Sequence, residues 1–337
     1  MIVSLNAAYS MAAPSVRIDG GLVSTTAQAQ GTETDAVAAR VPPYWAFAVN
    51  PPDDAGARSA DHAPRRVPGS VAAFTLDQVQ DRFNPPDWHP GNHKVMPDIV
   101  AHGRKPDVFA CGYCHLPNGQ GRPENAGLAG LPAAYIVQQV ADFKSGLRKS
   151  SEPRHQPTAF MTAVSSHANE QEIQSAAEYF SHLNRKPWIR VVETRTVPKT
   201  HVSGWMLVSS RAAGLEPIGQ RIIETPENLD RTELRDDASG FVAYVPVGSI
   251  KKGESLVKTG DSGKTMQCAV CHGPDLKGRG DVPSIAGRSP SYVVRQLYDI
   301  QDGSRAGVAA ELMKAPVAKL TVSDMISIAA YTASLRP

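Results

Sequence analysis

The sequence predicts a mainly α-helical protein made from two copies of one domain, with an irregular N-terminal extension and a partly β segment between the copies. Three observations carry this expectation. The pentapeptide C-x-x-C-H occurs twice, as Cys111-Gly112-Tyr113-Cys114-His115 and Cys268-Ala269-Val270-Cys271-His272. Setting Cys111 on Cys268 aligns the chain without a gap to Arg148 on Arg305, and fourteen of these thirty-eight positions are identical. Downstream of each pentapeptide, apolar residues recur at the spacing of one helix face.

In chain order, residues 1–29 read as a leader. Thr26-Ala27-Gln28-Ala29-Gln30 has the small-residue form of a secretory cleavage site, with cleavage after Ala29. The leader is atypical, because Arg17, Asp19 and two glycines interrupt its apolar stretch. Residues 30–95 are rich in Pro, Asp and Arg and read as an irregular extension. Its one strongly apolar spot, Tyr44-Trp45-Ala46-Phe47, is expected to pack on the first repeated domain.

The first domain is assigned to residues 96–186 and the second to residues 250–337. The shared residues include Pro117/Pro274, Gly121/Gly278, Arg122/Arg279, Tyr135/Tyr292, Gln139/Gln296 and Gly146/Gly303. After a five-residue difference the register resumes, with Met161 on Met313, Ala177 on Ala329, Tyr179 on Tyr331 and Leu183 on Leu335. Ile136, Val137, Val140 and Phe143 make a helical stripe that Gly146 terminates. Asn169 followed by Glu172 reads as an N-cap with an acidic N3 residue, and Thr321 with Asp324 opens the matching C-terminal helix. Residues 253–260 predict a short helix before the second pentapeptide, whereas Ile99-Val100 is the only apolar anchor before the first. Between the domains, residues 187–249 contain three β-like runs, at 188–192, 205–208 and 241–245.

C-x-x-C-H is the attachment signature of a c-type haem, in which each thiol adds to a vinyl group and the histidine reaches the iron. The two pentapeptides hold all four cysteines of the chain. A zinc ribbon wants its halves roughly 15–20 residues apart, whereas Cys114 and Cys268 are far more widely separated. The expected cofactors are therefore two covalently bound haem c groups, attached through Cys111, Cys114, Cys268 and Cys271. His115 and His272 are the expected proximal iron ligands. The repeat nominates Met161 and Met313 as the second axial ligands, since each precedes the last helix of its copy. His155 and His167 stand as alternatives to Met161, while His89, His93, His102, His182 and His201 read as surface or structural. Methionine–histidine ligation raises the reduction potential, and filling both axial positions suits electron transfer rather than substrate chemistry.

At 337 residues the chain accommodates two domains with additional segments. With 35 Lys+Arg against 33 Asp+Glu its net charge is +2, which argues against a nucleic-acid partner. Only 6% of residues are aromatic, which fits cores partly supplied by a buried cofactor. No stretch approaches the roughly 20 apolar residues of a transmembrane helix.

The succession C-x-x-C-H, a glycine-rich loop, [LI]-A-G, Y-x-x-x-Q, G-x-R, then Met and a final helix resembles the class I cytochromes c. Its duplication resembles the dihaem cytochrome c4 type, over roughly residues 96–184 and 250–337. That resemblance implies two mostly α-helical domains, each wrapping one haem. It also implies that a proline before [LI]-A-G offers its carbonyl to the proximal histidine. Pro283 matches, but the aligned residue in the first domain is Ala126, which puts that contact in doubt there. The first motif also has Leu116 where the second has Gly273. Tyr135/Tyr292, Gln139/Gln296 and Arg148/Arg305 are expected either at haem propionates or at the domain interface, with helix packing and surface charge as the plain alternative.

The expected function is a periplasmic electron carrier, not an enzyme, moving single electrons between a donor dehydrogenase or respiratory complex and a terminal oxidase or other acceptor. Covalent haem attachment in bacteria takes place outside the cytoplasmic membrane, so export is expected. The alternatives are a cytochrome subunit of a membrane-associated dehydrogenase complex, motivated by residues 30–95 and 187–249, and a dihaem peroxidase.

Overall fold

The computed structural model describes residues 41–52 and 62–337; the expected leader, and residues 30–40 and 53–61 of the extension, lie outside them. Among its described residues the extension holds an α-helical turn, α1 (Leu76–Val79), closed by a reciprocal cap. Gln78 N donates to Thr75 Oγ1 and Thr75 N donates to Gln78 Oε1.

The first copy runs α2 (Asp98–Ala101), α3 (Cys111–His115), α4 (Ala133–Lys144), α5 (Gln156–His167) and α6 (Glu170–Ser181). The predicted stripe is α4, and Gly146 follows its C-cap at φ +72°, a left-handed turn that glycine adopts without strain. The predicted cap is also present. Glu172 N donates to Asn169 Oδ1 at 2.9 Å and Asn169 N donates to Glu172 Oε2 at 2.8 Å.

The middle segment contributes seven strands and a helix. They are β1 (Ile189–Thr194), β2 (Thr196–Pro198), β3 (Thr200–Ser203), β4 (Met206–Ser209), β5 (Leu215–Pro217), β6 (Ile223–Pro226), α7 (Leu229–Glu233) and β7 (Phe241–Pro246). The three β-like runs of the sequence become β1, β4 and β7. β7 is central in a three-stranded sheet, parallel to β1 (Val191 opposite Ala243) and antiparallel to β6 (Ile223 opposite Tyr244). β2–β5 and β3–β4 form two small antiparallel pairs.

The second copy runs α8 (Ser249–Thr259), α9 (Ala269–His272), α10 (Pro290–Asp302), α11 (Val308–Val317) and α12 (Val322–Ser334). α8 packs so closely on α12 that a Cβ at Gly253 would collide with the Ser327 carbonyl. This close approach accounts for a glycine inside a helix, where it otherwise costs about 1 kcal/mol relative to alanine. Among the longer helices, α5 and α11, which carry Met161 and Met313, escape the sequence pattern. α5 sets its few large apolar residues, Phe160, Met161 and Val164, on one face, but Thr158, Thr162, Ser165 and Ser166 stand among them and leave the stripe weak.

The first copy is built on Val100, Val108, Ile136, Ala177 and Phe180. The core of the second, on Leu256, Val294, Met325, Ile326 and Ala329, continues through Ile222, Ile223 and Val245 of the middle segment. Trp45, Ala46 and Phe47 join this second core. The expectation that they pack on the first domain is thus corrected, although the Phe47 ring also meets His155 edge-on with centroids 6.0 Å apart. Burying two such aromatic side chains stabilises the fold by about 1.5–3 kcal/mol each.

Candidate functional site

α3 packs against α2, and Gly112 permits the approach, because a Cβ there would lie 2.8 Å from the Val100 carbonyl oxygen. The turn sets Cys111, Cys114 and His115 on the wall of one cleft, whose empty volume including its mouth is about 1760 Å³. Met161 lies on the wall of the same cleft, among apolar side chains that include Leu131, Ile136, Val164 and Phe180. The four residues expected to serve the first haem therefore share one cavity.

His115 is buried, and its Nδ1 lies 2.8 Å from the Ala126 carbonyl oxygen. A carbonyl can only accept, so Nδ1 carries the proton and Nε2 keeps its lone pair. Burial pushes the imidazole below its ordinary value, which keeps the ring neutral. The second site repeats this, with His272 Nδ1 2.8 Å from the Pro283 carbonyl oxygen and the ring again pushed down by burial. The contact does not need proline. A backbone carbonyl is present whatever the side chain, and both loops place it alike. Leu116 and Gly273 also share a conformation, at φ 64°, ψ 153° and φ 82°, ψ 159°. Leu116 thus occupies a region that favours glycine, at a cost of order 1–3 kcal/mol.

Burial pushes the Cys111 thiol up to about 12 and the Cys268 thiol up to about 11, so before attachment both sulfurs are thiols rather than thiolates. In the second site Cys268 and Met313 pack against the same core, and Cys271 is exposed.

Of the two histidines set against Met161, the cleft selects one. His155 lies on its wall and is buried, with Nδ1 2.9 Å from Thr158 Oγ1 and Nε2 without a hydrogen-bond partner. Burial, with the nearby Arg295 charge, pushes this ring down to about 3. His167 is exposed, its Nδ1 on the Ala163 carbonyl. His102, His182 and His201 are exposed as expected.

The paired Tyr, Gln and Arg residues form the contact between the copies. Arg148 binds Gln139 of its own copy and Tyr292 and Gln296 of the other, while Arg305 binds Gln296 and, across the contact, Tyr135 and Gln139. The interface expected of these residues is thus present, and Arg148, Tyr135, Gln139, Tyr292 and Gln296 also reach the cleft wall. Burial would raise the Tyr292 phenol, but Arg148, Arg305 and Arg288 around it hold it below its usual value.

Several wall residues carry no sequence signal. Arg82 comes from the extension, while Trp205 and Arg235 come from the middle segment. Arg82 stacks on Phe109 and Phe160, with its guanidinium carbon 4.9 and 5.0 Å from the ring centroids. Arg235 lies 3.6 Å over the Tyr113 ring and donates to the Tyr113 carbonyl. Trp205 packs edge-on against Phe160. None lies at a repeat position, so neither period nor motif could have found them.

These features suit a haem. Two thiols and a neutral histidine with a free Nε2 face an apolar cleft, and a cluster of guanidinium, amide and phenol groups offers donors for propionate carboxylates.

Comparison with known proteins agrees with this chemistry. No family model matches the chain. The thiosulfate dehydrogenase electron acceptor of Thiomonas intermedia is 26% identical over 235 residues, covering 68% of this chain and 80% of that protein. Cytochrome c4 of Azotobacter vinelandii is 23% identical over 231 residues, covering 67% and 84%. Cytochrome c-554(548) of Halomonas halodenitrificans is 35% identical over 72 residues, covering 21% of this chain and 87% of that protein. Among solved structures, cytochrome c4 of Acidithiobacillus ferrooxidans superposes with a TM-score of 0.44 at 21% identity, covering 67% of this chain and 98% of that one.

Proposed function

The chain belongs to the dihaem class I c-type cytochromes, and on that footing we propose that it is a periplasmic carrier passing single electrons from a dehydrogenase, through its two haems, to a respiratory acceptor. It carries two covalently bound haem c groups, which supply a reversible one-electron couple at each iron. No helix among the described residues is long and apolar enough to cross a membrane.

Each residue then has a task. Cys111 and Cys114, with Cys268 and Cys271, would hold the two haems covalently. His115 and His272 would ligate the irons through Nε2, oriented by the Ala126 and Pro283 carbonyls. Met161 and Met313 would be the second protein ligands of the two irons, their thioethers raising the potential. The apolar walls exclude water and limit the rearrangement that accompanies a change of charge.

One observation carries the carrier reading. The cleft of the first site is walled by Tyr292, Arg295, Gln296 and Asp299 of α10, which belongs to the second copy. The second copy thus reaches the first cleft directly, and such contact supports the passage of an electron between the copies. For the donor, the similarity to a thiosulfate dehydrogenase electron acceptor makes thiosulfate dehydrogenase the first to test.

The test is a redox titration with spectra of both haems, followed by stopped-flow mixing with thiosulfate dehydrogenase and thiosulfate. Two one-electron waves, both with methionine-ligated spectra, and reduction of both haems by that donor are expected. Rapid peroxide turnover, or one haem lacking a sixth ligand, would overturn the carrier reading in favour of a peroxidase. A dehydrogenase that co-purifies with the chain at a fixed ratio would instead make it a subunit of a complex.

A further inference from the structure

His89 and the pair Asp236-Asp237 lie outside both haem sites and come from the two segments that the internal repeat does not explain. His89 stands in the extension, just before the short 3₁₀ turn Pro90–Asn92. Asp236 and Asp237 follow α7 in the middle segment. Fully buried Trp88 locks the two segments together, with its Nε1 donating to the Leu234 carbonyl at 2.7 Å. His89 Nε2 then lies 3.1 Å from Asp236 Oδ1 and 3.7 Å from Asp237 Oδ1. All three atoms are within 4.8 Å of one another.

The cluster is buried, with side-chain exposures of 9%, 0% and 3% for His89, Asp236 and Asp237. Asp236 is well supported. Its Oδ2 accepts Arg231 Nε at 2.6 Å and its Oδ1 accepts Ala238 N at 2.9 Å. Asp237 is not: its Oδ1 is buried, points at His89 and has no hydrogen-bond partner. An unmet buried carboxylate oxygen costs several kcal/mol in general, so such groups are paired or bind a cation.

From this geometry we propose that His89, Asp236 and Asp237 form a structural site for one divalent transition-metal cation, with zinc as the reference metal. Tetrahedral zinc with nitrogen and oxygen ligands at about 2.0–2.2 Å has ligand–ligand edges of about 3.3 Å. The two edges from His89 bracket that value. One imidazole nitrogen and two carboxylate oxygens make a ligand set that zinc accepts and leave a fourth position for water. Arg231 on the far oxygen of Asp236 is the kind of outer support that ligating carboxylates receive. Beside the site, His93 Nε2 lies 3.1 Å from Asp87 Oδ1 and His93 Nδ1 lies 3.1 Å from Tyr179 Oη on α6. The metal would clamp the extension to the middle segment, against the first copy.

The haem-loaded chain, without an affinity tag, is treated with EDTA, dialysed and titrated calorimetrically with zinc chloride. One zinc per chain is expected, with a thermal midpoint that rises on zinc addition, falls back on chelation and is read by far-ultraviolet circular dichroism. Asp237→Asn keeps the side-chain volume and should weaken zinc binding at least tenfold while leaving both haem spectra unchanged. Saturable binding near one per chain in the parent, lost in the variant, supports the site. No saturable binding by the parent, or equal affinity in Asp237→Asn, overturns it and leaves a His–Asp hydrogen-bond cluster. Should the variant fail to fold, the parent's stoichiometry and its chelation-dependent midpoint decide alone.

Discussion

Arg148 and Arg305 face each other across the two copies, joined by an isolated antiparallel bridge, and each guanidinium reaches the tyrosine and glutamine of the opposite copy. The backbone repeats the exchange, with Lys149 N donating to the Ser304 carbonyl and Ala306 N to the Leu147 carbonyl. Duplicating one domain thus produced an approximately two-fold contact in which three residues serve twice. Both arginines are 8% exposed, so their partners replace water almost completely.

Arg148→Ala should therefore destabilise the protein by about 2–4 kcal/mol, since it removes a charged donor from buried Gln139 and from Gln296 and Tyr292 and opens a void beside them. Arg305→Ala should cost a similar amount, and the double variant less than the sum, because both act in one network. Urea denaturation followed by haem absorbance measures all three; strict additivity would contradict a shared network.

The axial positions are separable by spectra. Met161→Ala should remove the methionine-to-iron absorption band from one haem, and Met313→Ala from the other. His155→Ala should leave both bands in place. Loss of a histidine-ligated spectrum in His155→Ala, with Met161→Ala silent, would reassign the first haem to His155, whose Nε2 is buried on the cleft wall without a partner.

Pro283→Ala tests whether a backbone carbonyl alone orients the proximal histidine, as Ala126 does at the first site. The spectrum of the second haem should not change. The stability loss should be confined to about 0.4–1 kcal/mol from the freer unfolded chain. A new high-spin signal at the second haem in electron paramagnetic resonance would show that the proline ring itself is needed.

Asp324 links pH to the stability of the second copy. Burial would raise its carboxyl, but Lys252, Lys264 and Thr321 outweigh burial and hold it well below the usual carboxylate range. A group depressed on folding contributes stability above its unfolded value near 3.8 and loses that contribution as pH falls below it. Asp324→Asn should cost about 1–2 kcal/mol at pH 7 through the lost cap and pairings. The gap from the parent should narrow as pH falls below about 4, in thermal melts across pH 3–7.

Much of the helical plan was legible because its signals are local. Asn169 and Thr321 announce their helices through residues three positions on, and the stripe of α4 lies within nine residues. α5 and α11 were not legible, because α5 sets few large apolar residues among Thr158, Thr162, Ser165 and Ser166, and α11 leaves Val308 and Leu312 exposed. Trp45 and Phe47 were misassigned because only the contact with β-sheet and α10 decides which core takes them.

By itself the sequence carried two attachment motifs, each with the histidine that would ligate iron, and the duplication, because a covalent motif needs only neighbouring residues at fixed spacing. It also picked out Tyr135, Gln139, Arg148 and their partners as paired, without telling interface from cofactor. Tertiary structure alone decided that these pairs cross between the copies, that Ala126 serves as Pro283 does, and that Arg82, Trp205 and Arg235 wall the first cleft. It also brought His89 to Asp236 and Asp237. Each of these rests on a backbone carbonyl or on residues far apart in the chain, and only packing sets which distant groups meet.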